Sequence, residues 1–265
     1  MRIVCIANQK GGVGKTTLTA GLAGAFAATG ARVLMLDLDP SASLSHWFGV
    51  ADDPPRRGSF DLYDSNLPIA KTIHDTASGV SISPGQPALA TLERAGASKP
   101  GLGRALARAF AEPGLGYDYV LLDCPPTLGV LIVSALASAD LVLAPTQTEP
   151  LALRALDGML RTAAMVERSR GRALPVVVVP TLYDRRTRAA RDSLAALRER
   201  SDCRVWHEEI PVDARLREAS RHHATPAAFD PQSRGAQALM RLARWIEADM
   251  PPTAPAALDI MEHAA

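Results

Sequence analysis

The residues with the clearest chemical potential lie near the N-terminus, where two lysines flank a run of glycines. The segment Lys10–Thr17 reads KGGVGKTT and follows the apolar run Arg2–Ala7. Glycines at this spacing let backbone N–H groups converge on phosphate oxygens, and a following helix N-terminus adds about half a positive charge. The pattern predicts a loop that binds the phosphates of a nucleotide.

Individual residues of this loop have separate expected roles. Lys15 is expected to reach the β and γ phosphates, and the Thr16 hydroxyl is expected to bind Mg²⁺. Backbone contacts to the nucleotide are expected from the other members of the loop, which are Gly11, Gly12, Val13, Gly14 and Thr17. A tight turn without a ligand is the alternative, but the strand before the loop and the helix after it favour phosphate binding.

Acidic residues end two apolar runs further along the chain. Asp123 closes YVLLD, and Asp37 and Asp39 stand two residues apart in LMLDLDP. We expect them at the carboxyl edge of a parallel sheet, beside the phosphate loop, with Asp37 and Asp39 on one face. Asp123 is a candidate Mg²⁺ ligand. Of Asp37 and Asp39, one can support Mg²⁺ through a water molecule while the other orients a hydrolytic water. A cap or turn aspartate is the alternative for Asp123, and a turn of the Asp-Pro type would explain Asp39 but not Asp37.

The elements that must position these residues alternate along the chain. Apolar runs predict strands at Arg2–Ala7, Arg32–Leu38, Tyr117–Asp123, Leu141–Pro145 and Pro175–Pro180. Helical spacing covers Thr16–Thr29 and Pro150–Arg170, and a glycine follows each stretch. Alternating strands and helices predict an α/β fold, a mostly parallel twisted sheet with helices on both faces.

Length and composition favour a single large domain. The chain has 265 residues, of which 47% are apolar and 22% charged, and we expect one domain over 1–249 with a flexible tail over 250–265. A net charge of +1 gives no global attraction to nucleic acid or anionic lipid. No apolar run approaches the roughly 18 to 20 residues that span a bilayer, so no membrane association is expected. The cysteines are expected to be reduced thiols in the cytoplasm.

Sequence blocks throughout the chain resemble the ParA/MinD family of P-loop ATPases, whose signature loop reads KGGVGKTT. The other similar blocks follow in family order: DLDP (Asp37–Pro40), YDYVLLDCPP (Tyr117–Pro126), PTQTEPLALRAL (Pro145–Leu156), PTLYDRRT (Pro180–Thr187), IPVDARLREAS (Ile210–Ser220) and SRGAQAL (Ser233–Leu239). MinD-like proteins end in a basic amphipathic membrane helix. The segment LMRLARWIEADM carries acidic residues and is followed by prolines, so the chain is more similar to the ParA side.

The resemblance implies that ATP with Mg²⁺ lies between two protomers of a homodimer. Lys10 would cross the interface to the phosphates bound by the partner and, with Lys15, take part in catalysis. Asp39 would position the attacking water, which leaves Asp37 and Asp123 to hold Mg²⁺ through water.

The adenine contacts implied by the resemblance fall on Pro211 and Asp213. The chain departs from the family pattern in two places. Next to the adenine contacts it reads IPVD where the family often reads IPRN, and in the segment after DLDP, the first switch of the family, Ser41 replaces a common glutamine. Val212 therefore replaces an arginine implicated in non-specific DNA binding. The arginines that could supply such binding instead are Arg185, Arg188, Arg215 and Arg221. Because acidic residues are interspersed, a solvated helical face is the alternative.

The function implied is a ParA-like ATPase that binds DNA non-specifically and positions cargo when a protein partner stimulates hydrolysis. The segment Leu89–Gly96 and the blocks after Pro180 are most similar to the branch that positions chemotaxis arrays, which would act through an array adaptor. Plasmid or chromosome partition with a ParB-like partner is the first alternative. A metabolic P-loop enzyme is the second, although such relatives generally lack the equivalent of Lys10. The expected location is cytoplasmic, and nucleoid-associated or polar.

Overall fold

A computed structural model describes residues 1–50, 57–64, 67–95 and 101–249 of the chain. One sheet runs through it, built from β1 (Arg2–Ile6), β2 (Val33–Asp37), β3 (His74–Asp75), β4 (Ser81–Ser83), β5 (Tyr119–Asp123), β6 (Leu141–Gln147), β7 (Val176–Thr181) and β8 (Arg204–Val205). The strand order is β3-β4-β2-β5-β1-β6-β7-β8, and only the β3–β4 pair is antiparallel. The predicted tail over 250–265 lies outside the described residues.

The five predicted strands are the five central and longest ones. Their side chains are buried on both faces, as in the uninterrupted burial of Val33–Asp37, and this explains why they read as continuous apolar runs. The three strands that the sequence did not predict have only two or three residues, and their sequences, HD, SIS and RV, carry little apolar signal.

Helices cover both faces of the sheet, which confirms the predicted fold class. They are α1 (Lys15–Ala27), α2 (Ser43–Trp47), α3 (Asp61–Asp64), α4 (Leu89–Ala95), α5 (Ala105–Phe110), α6 (Val130–Ser138), α7 (Pro150–Arg170), α8 (Arg188–Arg198), α9 (Ala214–Arg221), α10 (Pro226–Phe229) and α11 (Arg234–Asp249). Phe26 of α1 and Leu239 of α11 belong to the core on one face. Leu106, Ile132 and Met159, from α5, α6 and α7, belong to the core on the other.

The two predicted helices form where the sequence placed them. The helix α7 has the predicted bounds and ends at Gly171, whose φ of 65° is left-handed, as a glycine cap requires. The segment LMRLARWIEADM falls in α11, where Leu242 and Ile246 are fully buried in the same core as α1. Among the described residues, none of the helices combines the length and hydropathy needed to cross a bilayer.

Candidate nucleotide-binding site

The glycine-rich loop joins β1 to α1 at the carboxyl edge of the sheet. Gly12 and Gly14 have φ values of 72° and 90°, a left-handed conformation that strains any residue with a Cβ. The buried Val13 anchors the loop, because its carbonyl accepts a hydrogen bond of 2.8 Å from the Thr181 hydroxyl at the end of β7. The loop is thus fixed to the sheet through Val13, while Gly11 and Gly12 remain exposed.

Lys15 is largely buried at the start of α1. Its ammonium group donates to the Lys10 carbonyl oxygen at 3.2 Å, and an ammonium has three donors, so it retains capacity for phosphate oxygens. Burial lowers the pKa of Lys15, and the nearby Asp123 partly opposes that shift. The side chain therefore lies folded over its own loop, as expected for a phosphate ligand.

Thr16 and Asp123 form a pair of oxygen donors beneath the loop. The Thr16 hydroxyl donates to Asp123 Oδ2 at 2.8 Å, and Thr19 lies 3.4 Å from Oδ1 of the same carboxylate. Burial, reinforced by the neighbouring Asp37, raises the pKa of Asp123 well above its usual range. A hydroxyl and a carboxylate are hard oxygen donors of the kind that Mg²⁺ prefers, so the two residues fit the predicted metal site.

Asp37 has different surroundings from Asp39, although only one residue separates them. The Asp37 carboxylate is completely buried and accepts hydrogen bonds from the Asp39 amide at 3.1 Å, the Ser45 amide at 2.9 Å and the Ser45 hydroxyl at 2.7 Å. Burial raises its pKa to about 6. Asp37 thus ties the start of α2 to the end of β2, whereas Asp39 faces the cleft. The metal role of Asp37 stays a prediction.

A cleft of about 600 Å³ opens above the loop. The loop and Asp39 form one wall of it, and Leu182, Pro211 and Asp213 contribute to another. The second wall is held together by backbone, because the Tyr183 amide donates to the Ile210 carbonyl at 3.1 Å.

The two residues expected to contact adenine both line this cleft. Asp213 also caps α9, since one carboxylate oxygen accepts from the Arg215 amide at 2.9 Å and the other from the Gly235 amide at 2.8 Å. Its carboxylate thus joins the N-terminal ends of α9 and α11. Pro211 contributes an apolar surface, and the adenine contact of both residues stays a prediction.

Lys10 lies outside its own cleft. Its amine donates to Gln147 Oε1 at 3.1 Å and pairs with Glu149 Oε2 at 3.4 Å, at the end of β6 and just before α7. The side chain is 28% exposed, so the amine is accessible from outside the chain. The two lysines of the loop therefore point to different places, Lys15 over the loop and Lys10 away from it.

The four predicted DNA-binding arginines divide into two kinds. Arg188 pairs with Asp192 at 3.4 Å, and Arg215 pairs with Glu218 at 2.8 Å and with Asp230 at 3.4 Å. Arg185 and Arg221 are exposed and make no ion pair with a carboxylate of the described residues. The contact between Tyr183 and Pro211 places the loop that carries Arg185 beside the segment that leads into α9.

Four residues of this region were not predicted from the sequence as parts of the nucleotide site. Ser45 holds Asp37, and Arg217 lines the cleft. The Trp47 indole donates to the Ala224 carbonyl at 2.9 Å, and His223 Nδ1 donates to the Trp47 carbonyl at the same distance, so the end of α2 is joined to the end of α9. For Arg217 a signal did exist, because it stands four residues after Asp213 and therefore on the same side of a helix.

Comparison with known proteins agrees with this geometry. Residues 1–176 match the family described as AAA domain. The chromosome-partitioning ATPase Soj of Thermus thermophilus is 38% identical over 251 residues, covering 94% of this chain and 96% of that protein. The sporulation initiation inhibitor protein Soj of Bacillus subtilis is 32% identical and is covered to 99%. The chromosome partitioning protein ParA of Caulobacter vibrioides is 34% identical, with 92% of this chain and 93% of that protein covered.

Two solved structures extend the comparison. Cobyrinic acid a,c-diamide synthase from Mycobacterium smegmatis, with a bound ATP analogue and magnesium, has a TM-score of 0.80 and 32% identity, covering 93% of this chain and 94% of that one. The septum site-determining protein MinD from Pyrococcus horikoshii, complexed with Mg-ADP, has a TM-score of 0.70 and 27% identity, covering 93% and 96%. Their ligands agree with the expected cofactors, ATP and Mg²⁺. From these relatives and the shared site, the chain belongs to the ParA/MinD family of P-loop ATPases.

Proposed function

We propose that the chain is a ParA-like ATPase that binds ATP with Mg²⁺, pairs with a second ATP-loaded copy and positions an intracellular cargo. The observation that carries the proposal is the divergence of the two loop lysines. The Lys15 ammonium lies on its own loop, at the Lys10 carbonyl, whereas the Lys10 amine lies outside its own cleft on Glu149. A lysine at that position supports contact with a nucleotide held by another protomer.

The residues of the cleft divide the work of hydrolysis. Lys15 and the loop amides bind the phosphates and oppose the charge that develops on them. Thr16 and Asp123 would hold Mg²⁺, which when bound neutralises phosphate charge. Asp39 orients the attacking water, and its backbone is fixed by the bond from its amide to Asp37. Lys10 completes this arrangement only after a second protomer arrives, so hydrolysis depends on dimerisation.

Changing Asp39 to Ala is expected to separate dimerisation from hydrolysis. Asp39 lines the cleft but is not part of the phosphate loop, so the variant should bind ATP and form dimers while its turnover falls by about 100-fold or more. Turnover is measured as phosphate release, and dimers by light scattering after size exclusion. Asp202→Ala removes an exposed aspartate that does not line the cleft and should leave turnover near the wild-type rate. An Asp39→Ala variant that hydrolyses ATP normally would remove Asp39 from the mechanism.

Non-specific DNA binding is the second part of the proposal, and the exposed arginines near α9 support it. A net charge of +1 makes a local patch necessary. Arg185 and Arg221 are the stronger candidates, because Arg188 and Arg215 already have carboxylate partners that would compete with DNA phosphates. A dimer would present two copies of the patch to one duplex.

Replacing Arg185 and Arg221 by Ala is expected to weaken DNA retention more than replacing Arg188 and Arg215. Each lost phosphate contact should reduce the slope of log affinity against log salt by about 0.9. Fluorescence anisotropy with a random-sequence duplex, at several salt concentrations and with ATP present, measures both quantities. Equal effects of the two pairs would mean that the ion pairs seen here do not decide which arginines meet DNA.

We propose two possible combinations of cargo and stimulating partner. The names of the curated relatives favour chromosome partition, for which we propose a ParB-like partner. The resemblance of Leu89–Gly96 favours a chemotaxis-array adaptor instead. That segment forms α4, except for Gly96, which lies outside the described residues. A fluorescent fusion located relative to the nucleoid and to the receptor arrays distinguishes them. We propose a cytoplasmic protein that is associated with the nucleoid or a pole.

A metabolic enzyme is the competing class, favoured by the likeness to the Mycobacterium smegmatis synthase. A synthase would couple ATP consumption to a small acid substrate and would not need Lys10 in trans. The partition-type ATPase should hydrolyse ATP slowly without any small substrate and faster with its protein partner. Phosphate release measured in buffer with ATP and Mg²⁺ alone separates the two classes.

A further inference from the structure

Arg217 lies on the wall of the nucleotide cleft that is formed by α9. We propose that Arg217 is a second cationic ligand of the nucleotide, contacting the phosphate nearest the ribose in the same protomer. This inference rests on the proposed function, namely that the cleft binds ATP and ADP.

The placement of Arg217 comes from how α9 is held. Asp213 caps the helix and links it to the Gly235 amide, while the buried Leu216 packs so closely on Gly235 that a Cβ there would lie 2.7 Å from its side chain. Arg217 follows Leu216 directly and shares the helix side of Asp213, which also lines the cleft. The helix therefore holds Arg217 at the wall of the cleft, where its side chain is exposed.

The pairing of charges around the cleft leaves Arg217 available to an anionic ligand. Among the described residues that line the cleft, the cations are Lys15 and Arg217 and the anions are Asp39 and Asp213. Backbone amides already occupy both carboxylate oxygens of Asp213. Arg217 makes no ion pair with a carboxylate of the described residues, whereas its neighbour Arg215 is held by Glu218 and Asp230. The guanidinium is thus available to a ligand.

The two ends of α9 indicate which part of the nucleotide Arg217 meets. The helix starts at Asp213, beside the proposed adenine contacts, and beyond its last turn His223 is bonded to Trp47 at the end of α2. The first residue of α2, Ser43, lines the cleft, as does Asp39, to which we assign the water that attacks the terminal phosphate. Arg217 stands one turn into α9, between these regions, which corresponds to the ribose and the phosphate attached to it.

A guanidinium suits this position better than an ammonium would. It offers five N–H donors in a planar fork that matches two oxygens of one phosphate, and it stays charged at any physiological pH. Lys15 and the loop amides already serve the distal phosphates. Arg217 would therefore add affinity for ATP and ADP alike, and it would not distinguish between them.

The test compares nucleotide binding by Arg217→Ala, Arg217→Lys and Arg244→Ala. Arg244 is the matched control, because it is an exposed arginine of α11 that does not line the cleft. Calorimetry with ADP, AMP and adenosine should show a Kd about tenfold weaker for ADP and AMP in Arg217→Ala, as expected for a lost charged hydrogen bond. Partial recovery is expected in Arg217→Lys. Adenosine binding should be unchanged in Arg217→Ala, and the Arg244→Ala variant should bind all three ligands as wild type does.

Three outcomes would overturn the inference. In the first, Arg217→Ala binds ADP as wild type does while Lys15→Ala loses ADP binding. This result would rule out Arg217 as a phosphate ligand but would leave the proposed function intact. Equal weakening for adenosine would place the guanidinium on the base. Weaker DNA retention with unchanged ADP affinity would make Arg217 a DNA contact. If the wild-type chain itself bound neither ATP nor ADP, the proposed function would fail instead. Melting curves recorded without nucleotide show whether each variant folds.

Discussion

Lys10→Ala is expected to remain monomeric in ATP under conditions in which the wild-type chain dimerises. The Lys10 amine is bonded to Gln147 and Glu149 outside its own cleft, so its removal should leave ATP binding by the monomer within a few-fold of wild type. The loss should appear only when two ATP-loaded copies meet, because a cation is then missing between two triphosphates. Turnover should fall by about 100-fold or more, as it does when other P-loop enzymes lose a cation supplied in trans. Sedimentation velocity with ATP and with ADP measures the assembly.

Two control variants separate the roles that Lys10 could have. Lys71→Ala removes an exposed lysine of the turn Ile69–Thr72 and should change neither assembly nor turnover. Glu149→Ala removes the intramolecular partner of Lys10 and leaves the amine in place. If Lys10 acts across the interface, this variant should dimerise at least as well as wild type. A monomeric Glu149→Ala variant would show instead that Lys10 works by holding β6 and α7 within its own chain.

Much of the site could be predicted because its chemistry depends on local sequence. A phosphate loop needs glycines at fixed positions, and here the two left-handed ones, Gly12 and Gly14, fall where KGGVGKTT places them. Asp123 ends an apolar strand, and its bond to Thr16 follows once β5 lies beside β1. The central strands could be predicted equally well, since burial on both faces of a sheet requires continuous apolar residues.

The remainder depends on contacts between distant segments, which no local pattern encodes. The Asp37 side chain turns inward because Ser45, eight residues later, offers it both an amide and a hydroxyl. The partner of Lys10 is 139 residues away in sequence. The short strands β3, β4 and β8, which lie outside the five central ones, have too few residues to leave a periodic signal. Tertiary pairing therefore decides how several of the chemically important residues are held.

Lys15→Met is expected to abolish measurable nucleotide binding without destabilising the protein in the absence of nucleotide. Methionine fills nearly the same buried space, so a loss of ADP affinity of about 100-fold or more would report the missing charge and not a cavity. Burial lowers the pKa of Lys15 in the folded chain from its ordinary value of 10.5. At any pH under this lowered pKa, the buried ammonium therefore destabilises the folded state by a constant amount. The variant has no ammonium and lacks this cost. As pH rises from the folded pKa toward 10.5, the unfolded chain binds more protons and the wild-type cost disappears.

Urea unfolding without nucleotide should therefore find Lys15→Met at least as stable as wild type at pH 7, with the difference shrinking at alkaline pH. Calorimetry with ADP and Mg²⁺ supplies the binding readout for the same preparations. A variant that lost both stability and binding would mark Lys15 as a structural residue of α1. One that kept ADP affinity would show that the loop amides alone bind the phosphates, and the role assigned to this lysine would be wrong.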